Sequence, residues 1–143
     1  ENIPIIVGGR SDAALRRAAT LGDGWMPYLM SPDRVAEGAR RIDELAPDRH
    51  KRIIAHVFVY FDADADVARR KATDYLTAQY HQDMTRTVER CVPCGSADVV
   101  AEKLRAYVDA GATDIVVRPL ASPEALFSSL EEAGAVSAGW TRG

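Results

Sequence analysis

Hydrophobic and polar positions alternate along the chain in blocks, switching between short apolar runs and the three-to-four spacing of amphipathic helices. Ile3-Pro4-Ile5-Ile6-Val7 is a β-branched run ended by Gly8-Gly9, the pattern of a buried parallel strand. A helix is predicted next, capped by Ser11 with Asp12 in its first turn. Ala14, Leu15, Ala18 and Ala19 form its apolar face, and Arg16 and Arg17 its outer one. Gly22-Asp23-Gly24 ends it, and Trp25 to Leu29 reads as a second short strand in which Pro27 fits least well. Ser31-Pro32-Asp33 opens a second helix, with Ser31 at the N-cap and Val35, Ala39, Ile42, Leu45 and Ala46 as its stripe.

After Pro47, the run Arg52 to Phe61 is the strongest strand, apolar on both faces. Asp64 or Asp66 caps a third helix through Val67, Ala68, Lys71, Ala72, Tyr75 and Leu76. Residues 82–94 lack periodicity and read as a loop with some helix at Met84 to Arg90. Ser96 caps a further helix, with stripe Val99, Val100, Leu104, Tyr107 and Val108, closed by Gly111. Asp114 to Arg118 is a fourth strand, Ser122-Pro123-Glu124 starts a last helix through Leu126, Phe127 and Leu130, and residues 134–143 read as a flexible tail. Strands alternating with helices, without hairpin signals, predict an α/β fold of parallel strands joined by right-handed crossovers. A single domain over residues 1–133 is expected. Four β/α units suit either a small doubly wound sheet or half of an eight-stranded barrel.

Composition narrows the function classes. The chain has 143 residues, 47% of them hydrophobic and 27% charged, which suits a globular domain rather than a disordered one. A net charge of −3 gives no basic field for nucleic acid or an anionic membrane, so neither is expected as a partner. Two cysteines make no secreted disulfide framework, and no charged-then-apolar leader precedes the first strand, so a cytoplasmic protein is expected. The first residue is Glu1 and the apolar run begins at Ile3, which reads as a chain cut from something longer.

The stretch IPIIVGGRSDAALRRAATLGDGW, followed by PYLMSPDRVAEGARRI, resembles the later half of the luciferase-like monooxygenases, flavin- or F420-dependent enzymes on a (β/α)8 barrel. CGSADVVAEKLRAYVDAGATDIVVRPL resembles that family's closing segment, with Gly95-Ser96-Ala97 where the family usually has Gly-Thr-Pro. The resemblance implies that the four strands are about strands five to eight of a TIM barrel. It further implies FMN or coenzyme F420 as cofactor, a small organic substrate, and a homo-oligomer formed through open barrel edges. In a complete enzyme, reduced flavin would activate oxygen or F420 would exchange a hydride. The alternative is a non-catalytic half-barrel module that self-associates and binds a phosphate-bearing small molecule.

Gly8-Gly9-Arg10-Ser11 lies between a strand and a helix N-terminus, where bare amides and the helix dipole favour an anion. The family places the cofactor's phosphate-bearing tail at this loop, so the resemblance assigns that contact to Gly8, Gly9, Arg10 and Ser11. On spacing alone the same residues make a tight turn with an ordinary serine cap. Asp23-Gly24-Trp25 is either pocket wall or, as turn chemistry favours, a helix-to-strand turn with a packed indole. His56 shares one face of its strand with Phe58 and Tyr60; it either faces a barrel lumen or is a hydrogen-bonded core histidine. Arg118, at the carboxyl end of its strand, can hold a phosphate or substrate carboxylate, or pair with Asp62 or Glu124. Tyr75, Tyr80 and His81 fall where the family places substrate-proximal segments, although their spacing equally suits packing. Cys91-Val92-Pro93-Cys94 is a CxxC, but it follows an unpatterned loop and lacks a second ligand pair, so incidental cysteines are expected over a redox dithiol or zinc site. No residue stands out as catalytic, and the chain alone is expected to be catalytically silent.

Overall fold

Ten residues from Arg52 to Phe61 form one strand with the bounds the apolar run predicts, because a β-branched and aromatic run without Gly or Pro extends readily. The computed structural model describes residues 3–121 and 125–138. In chain order the elements are β1 (Ile6–Gly8), α1 (Asp12–Leu21), β2 (Gly24–Met26), α2 (Pro32–Leu45), β3 (Arg52–Phe61), α3 (Ala65–Tyr80), α4 (Thr85–Cys91), β4 (Cys94–Gly95), α5 (Ala97–Asp109), β5 (Asp114–Pro119) and α6 (Leu126–Ala138). The strands form one five-stranded sheet in the order β1-β2-β3-β4, with β5 also on β3, and the β1–β2, β2–β3 and β3–β4 pairings are parallel. The chain divides into two compact units, residues 1–56 with 106–116 and residues 57–105 with 117–143.

In the first unit, Ile6 pairs with Gly24 and Val7 with Trp25, while Gly24 and Trp25 pair in turn with Arg52 and Ile53. On the other side of β3, the Ile53 carbonyl accepts from Thr113 N, and Arg52 and Asp114 close a two-pronged ion pair at 2.7 and 3.2 Å. The core of this unit is Trp25, Val35, Ile42, Ala18 and Ala55, all nearly inaccessible. Trp25 lies against α2 at Gly38, and that approach is possible because position 38 is glycine: a Cβ there would stand 2.3 Å from the indole ring. The Tyr107 hydroxyl donates to the Met30 carbonyl at 2.9 Å, and the ammonium of buried Lys51 donates to the Gly22 carbonyl. Ser31 stands at the α2 N-cap, as predicted, yet its side chain makes no cap bond and its buried hydroxyl has no partner among the described residues.

Two strands of this unit differ from expectation. Ile3 to Val7 is not a buried strand: pairing begins at Ile6, and Ile3 and Ile5 are 84% and 60% exposed. Ile5 is tied to the turn before β2 instead, donating its N–H to the Asp23 carboxylate and accepting from Asp23 N, both at 2.7 Å. β2 stops at Met26 because Pro27 has no N–H to continue the ladder, and only a single bridge from Tyr28 to His56 follows.

In the second unit, Tyr60 pairs with Cys94 and Phe61 with Gly95, and the Val59 carbonyl accepts from Leu120 N. Ala68, Ala72 and Leu76 are the buried stripe of α3, and Val88, Val100 and Leu104 complete the core from α4 and α5. Asp64 is the α3 cap, accepting from both Asp66 N and Val67 N. The helix expected at Met84 to Arg90 is α4, one residue later at each end, and the loop around it also contains the two-residue strand β4, too short to leave any periodicity. α6 continues through Ala138 into the stretch expected as a tail; Ser122, Pro123 and Glu124, expected to start it, lie outside the described residues.

Gly38→Ala tests the approach of α2. Helix propensity alone favours alanine by about 1 kcal/mol, but overpacking a filled core costs typically about 1–3 kcal/mol, and a contact at 2.3 Å is severe. Urea unfolding is expected to show a lower midpoint for G38A. Gly134→Ala in α6, where among the described residues nothing lies within 4 Å of an added Cβ, is expected to raise it.

Candidate functional site

The turn from β1 into α1 is fixed from two sides. Gly9 has φ +123°, and a Cβ on it would stand 2.8 Å from the Ala14 Cβ, so no L side chain fits. Its carbonyl accepts from Trp25 Nε1 at 2.8 Å, which ties the turn to the buried indole. Ser11 caps α1 as predicted: its Oγ accepts from Ala14 N at 3.3 Å and its carbonyl from Leu15 N at 3.0 Å. A helix start leaves its first amides without carbonyls of their own helix, and the cap bonds do not use those of Asp12 and Ala13.

Gly8 serves differently. A Cβ there would meet only the Met26 carbonyl oxygen, at 3.9 Å, an ordinary contact, so the peptide is open to close approach. Arg10 lies across the Tyr28 ring at 5.2 Å and donates through Nη1 to the Leu29 carbonyl at 3.4 Å. Bare peptide, helix N-terminus and oriented guanidinium form a donor set of the kind that suits a phosphate or other anion. Asp12, in the first helical turn, is the one charge of opposing sign there. Beside this loop, α1 and α2 enclose a cavity of about 270 Å³ that starts at Arg10 and Asp12 and runs over Leu15 and Met30 along α2 from Arg34 to Glu44.

Gly8, Gly9, Arg10 and Ser11 thus lie together, joined by Trp25, Tyr28 and Leu29. Sequence reasoning did not connect Tyr28 or Leu29 to the loop, although both lie in the next β/α turn, where such partners are found. His56 is half-buried and touches this group through its backbone, donating to the Pro27 carbonyl at 3.0 Å and bridging Tyr28. Asp23-Gly24-Trp25 is structural, since Trp25 is wholly buried and Asp23 holds Ile5.

Arg118 belongs to the other unit. The ion pair with Asp62 does not form, because Lys71 holds that carboxylate at 2.9 Å and, with the Asp64 amide, keeps it below the usual range. Glu124 lies outside the described residues. Arg118 instead stacks on Phe58, 5.0 Å from the ring centre, with the side chain exposed. Tyr75 is exposed on α3, and Tyr80 and His81 close that helix, His81 in the left-handed conformation.

A family model described as luciferase-like monooxygenase matches residues 1–114. The chain belongs to the luciferase-like monooxygenase family. No curated protein sequence matches it, but solved structures do. The coenzyme F420-dependent tetrahydromethanopterin reductase from Methanopyrus kandleri is 19% identical over 92% of this chain and 49% of its own, with a TM-score of 0.69. The EDTA monooxygenase from Chelativorans sp. BNC1 is 12% identical over 93% of this chain and 44% of its own, at 0.65. A long-chain alkane monooxygenase is 13% identical over 96% and 42%, at 0.66. At these identities the likeness is one of fold. The luciferase-like chain spans about half the length of the structures it matches, and its parallel β/α units correspond to half of a TIM barrel.

The CxxC of this luciferase-like chain lies at the end of α4 and the start of β4, with Cys91 half-buried and Cys94 buried. Burial pushes the Cys94 thiol up to about 11, against a smaller opposing pull from Lys103 and Arg69. Among the described residues no three His, Cys, Asp or Glu side chains cluster as metal ligands. A raised thiol contributes stability that is complete below its unfolded value of 9.0 and is lost as pH rises through about 11. At pH 8, alkylation of Cys94 by iodoacetamide is expected to be about a hundredfold slower in the folded chain than in urea, because thiolate is the reactive form. Mass spectrometry of the time course checks this, and comparable rates would revive a redox reading.

Proposed function

We propose that this chain is the part of a flavin- or F420-dependent oxidoreductase that holds the cofactor phosphate and contributes one wall of the substrate pocket. The observation that supports it is the open Gly8 peptide beside the α1 N-terminus and the guanidinium of Arg10. When bound, a flavin or deazaflavin supplies the redox chemistry itself; the protein supplies binding and orientation. In this reading Gly8 lets the phosphate approach the backbone, the first-turn amides of α1 donate to it, and Arg10 adds a charge already oriented by Tyr28. In the second unit, Arg118 is assigned to a substrate group, as an exposed cation for a polar or anionic one.

A nitrogen-labelled sample titrated with FMN and with F420 tests the loop. The amides of residues 8–13 are expected to shift with either cofactor, and Gly8→Val to suppress the shift by placing a branched side chain over the open peptide. Shifts that leave residues 8–13 unmoved would discard the assignment. No turnover is expected from the chain by itself; oxidation of a substrate by the chain with bound cofactor would overturn that part of the reading.

Self-association belongs to the same proposal. Ile3, Ile5 and Leu21 are 84%, 60% and 74% exposed in the first unit, where β1 pairs only with β2 among the described residues, and an open, apolar edge favours pairing with another chain. Light scattering at micromolar concentration is expected to give a dimer or larger species, and a monodisperse monomer would remove it.

A further inference from the structure

The turn between β2 and α2 is unfavourable at two nearby positions. Leu29 is buried yet left-handed, φ +48°, a region where the Cβ of an L residue crowds the carbonyl that follows. Two residues on, Ser31 has the extended backbone of an N-cap, but its buried hydroxyl neither caps α2 nor meets any partner among the described residues. Glycine or asparagine would suit the first position better, so the local sequence does not account for the turn.

The turn is imposed from outside. On its near side the Pro27 carbonyl accepts from His56 N at 3.0 Å, which fixes the end of β2 against β3. On its far side the Met30 carbonyl accepts from the Tyr107 hydroxyl at 2.9 Å, a buried bond between groups 77 residues apart, and the Ser31 carbonyl accepts from Val35 N at 3.0 Å. With Pro27 and Met30 both held, the chain must change direction within Tyr28 and Leu29, and a conformation so over-determined persists despite its strain. What results is the direction of the Leu29 carbonyl, which accepts from Arg10 Nη1 at 3.4 Å while the Arg10 guanidinium lies over the Tyr28 ring. Ring and carbonyl come from successive residues of one turn, so together they fix the plane of the guanidinium and its rotation within that plane. Its Nε–Nη2 edge has no partner among the described residues and keeps two parallel N–H groups for an anion.

We propose that Leu29 and Tyr107 are positioning residues for Arg10: Tyr107, through the Met30 carbonyl, keeps Leu29 left-handed, and Leu29 in that conformation holds the guanidinium ready for a phosphate or carboxylate. Neither residue touches the anion itself. Only the last step rests on the reading of Arg10 as an anion-binding residue; the ordering of its side chain in the free chain does not.

Nitrogen relaxation at Arg10 Nε on the free chain reads the positioning directly, as an Nε–Hε order parameter. It is expected to be high in the parent chain and to fall below about 0.6 in Tyr107→Phe, which removes only the hydroxyl. Leu29→Val, whose branched Cβ disfavours the left-handed region, is expected to free Arg10 in the same way, whereas Leu29→Asn, which tolerates that region, is expected to keep it ordered. Packing alone would rank the two the other way, since valine stays apolar and asparagine does not. Val100→Ala, a core truncation in the other unit, lowers stability as well and is expected to leave Arg10 ordered. Titration with FMN, followed at the amides of residues 8–13, then reads the consequence: binding about two- to fivefold weaker in Y107F and L29V, and at parental strength in L29N. An Arg10 that is mobile in the parent chain, or equally ordered in Y107F and L29V, would overturn the positioning. Lost order with unchanged FMN affinity would overturn the anion-binding reading of Arg10 instead. If the amides of residues 8–13 ignore FMN altogether, the loop reading fails, and the order parameters still decide the positioning.

Discussion

Trp25 is the constraint on which the first unit depends. Its indole is wholly buried, and its one polar atom, Nε1, must find an acceptor if it is to leave water. That acceptor is the Gly9 carbonyl, in the turn from β1 into α1. The six-membered ring of the indole is met by Gly38, the only residue type that lets α2 approach so closely. One side chain therefore sets the height of α2 over the sheet and the path of the loop at once. The same packing that stabilises the unit therefore fixes the path of the chain at Gly9, beside Gly8 and Arg10.

How exposed the strands are follows from what covers them. β3 has β2 beside its first residues and β4 beside its last, and Ile53 to Ala55 and Val57 to Val59 are all buried. β1 has β2 alone among the described residues, and its lead-in leaves Ile3 and Ile5 in solvent. Val116 of β5 is 44% exposed, although the strand reads as apolar. These residues have the composition of interior strands but not the surroundings, as expected of a half barrel whose inner face lacks opposing strands.

What the sequence made legible was whatever depends on local pattern. The bounds of β3, the Ser11 cap of α1, the Asp64 cap of α3 and the buried faces of α1 and α3 all follow from residues within one or two turns of each other. What it concealed depends on partners distant in sequence. Composition could not show that Ile3 and Ile5 lie uncovered, because burial is a property of neighbours. β4 exists only because Tyr60 and Phe61 offer it a ladder. The loop Gly8 to Ser11 could be named from its position after a strand, but not its link to Trp25, which is 16 residues away. Arg118 was read through its charge, and the structure holds it by its plane.

That last point extends to both arginines assigned to binding. Arg10 lies across Tyr28 and Arg118 across Phe58, each following the polypeptide out of a strand or closing it. A guanidinium laid flat on a ring keeps its in-plane N–H groups directed at the edge, where a phosphate or carboxylate can be met by two of them. Stacking also removes much of the rotamer freedom that an exposed arginine would otherwise lose on binding. Lysine cannot be held this way: Lys71 lies over Tyr60 at 6.0 Å, but its ammonium goes to Asp62. Any anion that meets these arginines would therefore meet guanidinium groups already oriented by aromatic rings, and replacing either ring would free them without touching a single charge.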